Sequence, residues 1–156
     1  MIYLRGEKLD ETDCDIIIHE CFCKKTEKDI VNEYIFSKFD VAKRAHEEYS
    51  GVDIEKVKTM KLTVDEKSKK IIINVYTKLN KKLNKEKTMR KINQTNYEET
   101  IEQFFKMMKS VKTRKPDVKI GLMNLTEDDG RDTMKIWSTL MEKSKEHDID
   151  IHILDV

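Results

Sequence analysis

Asp15-Ile16-Ile17-Ile18-His19-Glu20-Cys21-Phe22-Cys23 is the stretch on which the fold turns. Three consecutive β-branched residues without a polar interruption predict a strand covered on both faces, the pattern of an interior strand in a parallel sheet. The run then breaks into an imidazole, an acid and two thiols. In open α/β sheets ligands collect beyond the carboxyl ends of the strands, so this break marks a candidate site.

Outward from this strand the chain alternates between the two periodicities. Ile2-Tyr3-Leu4 predicts an opening strand that stops at Gly6, followed by a polar connection from Glu7 to Asp13. Thr26 with Asp29 three residues later resembles a capping box and predicts a helix from Ile30 through Ala42 and Ala45 to Tyr49. A break is expected near Phe39-Asp40 and an end at Ser50-Gly51. Met60, Leu62 and Val64 alternate with polar residues and define one face of a strand, Asp65 to Ser68 a turn, and Ile71 to Tyr76 a second fully buried strand. Thr95-Asn96-Tyr97-Glu98 has the form of a capping box, and Tyr97, Ile101, Phe104, Phe105 and Met108 follow on one helical face. Val118 to Met123 predicts a further strand. Asn124 to Asp132 is read as a polar loop capping a final helix with Met134, Trp137, Leu140 and Met141 on its inner face, before a terminal strand over Ile149 to Leu154. About six strands with three or four helices between them predict an α/β fold of three layers, α/β/α, around a mixed sheet.

Bulk properties narrow the functional classes. At 156 residues, with one Pro and four Gly, the chain suits a single domain over residues 1–156. Basic and acidic residues number 31 and 30, a net charge of +1 that makes nucleic acid an unlikely partner. No apolar run approaches the ~20 residues of a membrane span, and no secretory core opens the chain, so a cytoplasmic protein is expected. The abundance of Lys, Ile and Asn points to an AT-rich genome and favours a phage or viral origin. Cys14, Cys21 and Cys23 form one odd cluster. His19, Cys21 and Cys23 share a strand face, yet no further Cys completes a zinc site, so buried thiols are expected and no metal or cofactor.

Residues 78 to 91 carry seven basic side chains against one acid, a formal charge of +6. This segment is either a solvated surface or a cationic flap over an anionic ligand. His19 is the candidate general acid or base, with a hydrogen-bonded structural histidine as the alternative.

The ordered set of elements resembles a macro domain, particularly the small branch with ADP-ribose 1''-phosphate phosphatase-like and phage-encoded members. Tyr3-Leu4-Arg5-Gly6-Glu7 is similar to that family's first strand and Gly-Asp step. Ile16-Ile17-Ile18-His19 is similar to its second strand, Ile72-Ile73-Asn74-Val75-Tyr76 to its Asn-bearing central strand, and Thr95-Asn96-Tyr97-Glu98 to its helix start. The resemblance implies a nucleotide-type, ADP-ribose-like ligand, with Glu7 at the base and Asn74, Tyr76, Lys78 and Asn124 along the cleft. It also departs from the family where ligand would be held. Glu7 replaces an Asp, Phe22 replaces an Asn, and Cys23 to Glu27 contains no Gly. Glu127, Asp128 and Asp129 in the second loop would repel a diphosphate by about 4 kcal/mol per charge pair at ~4 Å and an effective dielectric of 20. These features together predict ligand binding without catalysis. A hydrolase of ADP-ribose derivatives using His19 and a protein-interaction module that has lost its pocket are the alternatives.

Overall fold

In a computed structural model, residues 1–49, 53–78, 87–124 and 132–156 are described, without the side chains of 53, 54, 87–90 and 93. Their elements run β1 (Ile2–Lys8), β2 (Ile16–Phe22), α1 (Ile30–Lys38), α2 (Asp40–Glu48), α3 (Asp53–Lys56), β3 (Thr59–Asp65), β4 (Lys70–Lys78), α4 (Lys87–Arg114), β5 (Ile120–Met123), α5 (Thr133–His147) and β6 (Ile151–Asp155). The strands form one sheet in the order β1-β6-β5-β2-β4-β3, parallel throughout except for β3. The expected mixed six-stranded α/β/α architecture is the one observed. No helix among the described residues is long and apolar enough to cross a membrane.

β2 is central because its side chains alternate between two cores. Ile17, Cys21, Ile72 and Tyr76 pack with Val31, Ile35, Phe36 and Phe39 beneath α1 and α2. Ile16, Ile18, Ile73 and Val75 pack with Tyr97, Ile101, Phe105, Ile136 and Leu140 beneath α4 and α5. Each face thus removes a row of branched side chains from water, at roughly 25 cal/mol per Å² of apolar surface. Gly121 on β5 admits the close approach this needs. A Cβ there would lie 2.5 Å from Leu154 Cδ1 and 3.1 Å from Cys14 Sγ, and both side chains are fully buried. Gly121→Ala is therefore expected to cost about 1–3 kcal/mol in a urea unfolding experiment, and an unchanged midpoint would contradict it.

Four local expectations are corrected. β1 does not stop at Gly6: that residue takes φ +66° within a shifted register, and the strand continues through Glu7 to Lys8. α1 is capped by Asp29 rather than Thr26. Asp29 Oδ1 accepts from the Asn32 amide and Asn32 Oδ1 from the Asp29 amide, so the reciprocal box sits one turn later. The helix then does break at Phe39, as expected. The box at Thr95 to Glu98 is unused, since α4 already begins at Lys87. The residues before Thr95 include no Gly or Pro to stop a helix, and extending one costs far less than nucleating it. On α5 the capping of Lys135 by Asp132 sets the helical phase. Ile136, Leu140 and Ser144 point inward, whereas Met134 and Met141 are 83% and 59% exposed. Leu62 and Val64 are half exposed because β3 is the outermost strand and they extend beyond the helical cover. Ser50-Gly51 and most of the loop after Asn124 lie outside the described residues.

Candidate functional site

The in-register pairing of β2 with β4 sets His19 against Asn74 and Cys21 against Tyr76 on the face beneath α1 and α2. His19 is completely buried. Its Nδ1 accepts from Asn32 Nδ2 at 2.9 Å, which puts the proton on Nε2, and Nε2–H donates to Asn74 Oδ1 at 2.6 Å. The Asn74 amide nitrogen in turn donates to the Ala42 carbonyl at 3.1 Å, and Asn32 Nδ2 also reaches the Glu20 carbonyl at 2.8 Å. Both imidazole nitrogens are consumed within the protein. Burial, the largest influence, holds the His19 pKa down to about 4, against a smaller upward pull from the Asn74 hydrogen bond. At neutral pH this is an uncharged strut between the sheet and the helices. Cys21 Sγ lies 3.6 Å from His19 Nε2, and its own burial raises the thiol pKa. A thiol so shifted carries almost no thiolate, the form needed for attack or metal ligation.

A second buried histidine secures the loop after β2. Tyr76 donates its hydroxyl proton to His46 Nδ1 at 2.9 Å, and His46 Nε2–H donates to the Lys25 carbonyl at 3.1 Å. The Cys23 amide bonds the Lys78 carbonyl at 2.6 Å, and Lys56 Nζ lies 3.4 Å from the Cys23 carbonyl. The loop thus lacks glycine but is pinned by side chains from α2 and α3. At its end Lys78 Nζ stands 3.2 Å from Asp29 Oδ2 and 4.2 Å from the centroid of Phe22, with the ion pair almost wholly buried. Asp29 thereby places a resident carboxylate at the N-terminus of α1, where the helix dipole favours negative charge.

Asn124 lies just beyond the carboxyl end of β5, whereas the Glu7 carboxylate turns toward the amino ends of β5 and β6. Glu7 accepts from the Thr12 hydroxyl at 2.6 Å and sits 3.5 Å from Lys119 Nζ and 3.4 Å from His152 Nδ1. The Thr12 hydrogen bond, with help from Lys119 and His152, lowers its pKa below the ordinary value despite partial burial. Asn124 Nδ2 donates to Asp155 Oδ1 at 2.9 Å. The structure therefore gathers His19, Asn74, Tyr76 and Lys78 around β2 and β4, and sets Glu7 and Asn124 apart around β1, β5 and β6. Asp29, read from sequence only as the partner of Thr26 in a capping box, and Asn32, His46 and Lys56 carried no functional expectation. Only the spacing of Asp29 and Asn32, an N-cap and its third residue, offered a local signal for any of them.

One further cluster has ligand-type atoms: Glu102 on α4 with Glu146 and His147 on α5. Lys143 Nζ already occupies it, 2.7 Å from Glu102 and 3.1 Å from Glu146, and neutralises charge that would attract a metal.

No protein-family model matches the sequence, and no curated protein matches it. Solved structures do match, and they define the fold as that of a macrodomain. The macrodomain of Mycobacterium tuberculosis DarG superposes with a TM-score of 0.65 at 13% identity, covering 99% of this chain and 97% of that one. The macrodomain of Thermus aquaticus DarG gives 0.63 at 10% identity, with 100% and 99% covered. A macrodomain protein from Streptomyces coelicolor gives 0.53 at 9% identity, with 98% and 90% covered.

Proposed function

We propose that this chain binds an ADP-ribose-type nucleotide along the carboxyl edge of its sheet and that His19 performs no catalysis. The observation that carries this reading is the division of the polar residues into two groups. β1 and β4 are four strand spacings apart, about 19 Å at ~4.8 Å per strand, a separation suited to a ligand with a base at one end and a phosphorylated sugar at the other. At the base end Asn124, beside Asp155, offers polar groups to an exocyclic amine, and Glu7 on β1 can accept from one only by sharing the carboxylate that Thr12 and Lys119 hold. Lys78, beside the loop after β2, serves the anionic end. The full-length likeness to macrodomains supports the same ligand class, while the sealed His19 offers neither a free nitrogen nor a pKa near neutrality for hydrolysis.

Titration calorimetry with ADP-ribose should register saturable binding, weakened at least tenfold by Glu7→Gln. Absence of heat with ADP-ribose, ADP and AMP would remove this function. Binding accompanied by turnover that His19→Ala abolishes, in a variant still folded by circular dichroism, would replace it with the hydrolase reading.

A further inference from the structure

β3 closes one edge of the sheet, and among the described residues no strand pairs with its outer side. Edge strands are ordinarily blunted by Pro, a bulge or a charge, because their unpaired backbone invites another strand. β3 holds no Pro, and its register with β4 runs unbroken from Thr59 to Asp65. Its one mid-strand cation, Lys61, lies 4.4 Å over the Tyr49 ring, whose hydroxyl donates to the Thr59 hydroxyl at 2.8 Å. The ammonium is thus drawn toward the Thr59 end and off the middle of the strand. On the opposite face Leu62 and Val64 stay 52% and 49% exposed.

We infer that this edge pairs with the same edge of a second copy, antiparallel about a two-fold axis at Leu62. The Ile71 amide donates to the Asp15 carbonyl beside β2 at 2.9 Å, so up to Tyr76 the odd-numbered residues of β4 turn their backbone groups to β2 and the even-numbered ones to β3. Thr59, Lys61, Thr63 and Asp65 lie opposite Tyr76, Asn74, Ile72 and Lys70, and these pairs exchange the ladder bonds. The amides and carbonyls of Met60, Leu62 and Val64 therefore point out of the edge. A two-fold at Leu62 sets Leu62 against Leu62 and Met60 against Val64, so each outward group meets an outward group of the second copy in a mutual hydrogen-bonded pair. Leu62 is the middle of a seven-residue strand, so this centre pairs all of it. A two-fold at the neighbouring Lys61 would instead oppose two ammonium groups.

Side chains and charges agree with this register. On the α4 face Leu62 meets its counterpart and Met60 meets Val64, a continuous apolar row that covers surface now left in water. Charge along the strand is asymmetric, with Lys58 before it and Asp65 and Glu66 at its end. The rotation brings the basic end of each copy beside the acidic end of the other. Lys58, which holds Glu99 at 2.8 Å, comes beside Glu66, whose own partner is Lys69 in a pair open to solvent. Lys61 falls opposite Thr63. An apolar centre flanked by opposite charges complements itself under the rotation, as an isologous contact requires. α2 approaches β3 through Tyr49 at the Thr59 end, so antiparallel pairing holds the α2 helices of the two copies at opposite ends of the seam. A seven-residue seam with three apolar side chains from each copy buries less than the ~800 Å² per partner of a standard interface, so the association is weak and concentration-dependent.

Sedimentation velocity from low micromolar to several hundred micromolar should show the wild-type chain passing from monomer to dimer. Leu62→Lys should stay monomeric throughout, with the thermal melt of the dilute wild-type protein. In a hydrogen-bonded antiparallel pair the two Leu62 Cα atoms lie about 5.5 Å apart, within disulfide reach. Leu62→Cys should therefore cross-link with oxidised glutathione much faster than Val64→Cys, whose symmetry mates are about four residues, ~13 Å, apart. The native cysteines are buried and take no part. A monomer at every concentration, as when a strand of a different protein is what takes this edge, would overturn the inference. So would dimerisation of Leu62→Lys, or equal cross-linking of the two cysteine variants.

Discussion

Lowering the pH from 7 to 5 is expected to destabilise this protein by about 2 kcal/mol through His19 alone. In the folded state burial depresses the His19 pKa to about 4, whereas in the unfolded chain it returns to the ordinary imidazole value of 6.5. The unfolded state then binds the extra proton, so stability is fully present above pH 6.5 and is lost as pH falls toward 4. The complete loss is about 3 kcal/mol, from 1.36 kcal/mol per pKa unit. His46, also lowered chiefly by burial, acts in the same direction, because its protonation would cancel the acceptor that Tyr76 requires. Glu7 and Glu102 have lowered pKa values too, but their contributions are lost at more acidic pH. Urea unfolding of wild type and His19→Gln at pH 7 and 5 isolates the effect. The variant starts less stable, having lost two hydrogen bonds, yet should show a clearly smaller drop between the two pH values. Parallel losses would mean that His19 is not the sensor.

The same residue shows what a one-dimensional reading can reach. Ile16 to Ile18 and Ile71 to Tyr76 announced two buried strands, and their pairing follows because uninterrupted branched runs need helices on both faces. The placement of His19 and Asn74 opposite one another was not legible. It depends on register across 55 positions, and no local rule supplies that. The closure of the His19 pocket depends further on Asn32, an ordinary polar residue on a helix whose amide happens to face inward. The Thr95 box failed for the opposite reason. Its pattern is right for a helix start, but a signal of about 1 kcal/mol cannot end a helix whose preceding residues also favour helix. Met60, Leu62 and Val64 do share one face of β3, but period-two apolar spacing reports a face and not whether anything covers it. Glu7 and Lys78, expected from the resemblance to line a ligand cleft, both hold protein partners. Charge in a sequence gives no indication of where a counter-charge will fold against it.

The largest mutational asymmetry should lie at Asp29 and Lys78. Their side chains are only 11% and 6% exposed, so water screens neither charge well. Asp29 serves two structures at once: one carboxylate oxygen caps α1 through the Asn32 amide at 2.8 Å, and the other meets Lys78. Asp29→Ala removes the cap, worth about 1 kcal/mol, and deprives a buried ammonium packed against the Phe22 ring of its carboxylate. Breaking a buried pair from one side costs roughly 3–5 kcal/mol, so this variant is expected to be among the least stable single substitutions outside the apolar core. Lys78→Met should be much milder. The carboxylate it strands still accepts the capping amide at the positive end of a helix dipole, and the methionine can refill the space against Phe22. The double variant should then be more stable than Asp29→Ala alone, because no unpaired charge remains in the interior. Urea midpoints for the four proteins decide the matter. A double variant less stable than Asp29→Ala would show that Lys78 is held by interactions other than its carboxylate. Lys78→Met also separates stability from recognition: if Lys78 receives the anionic end of a nucleotide, this stable variant should lose ADP-ribose affinity, since the ligand would otherwise compete with Asp29 for the same ammonium.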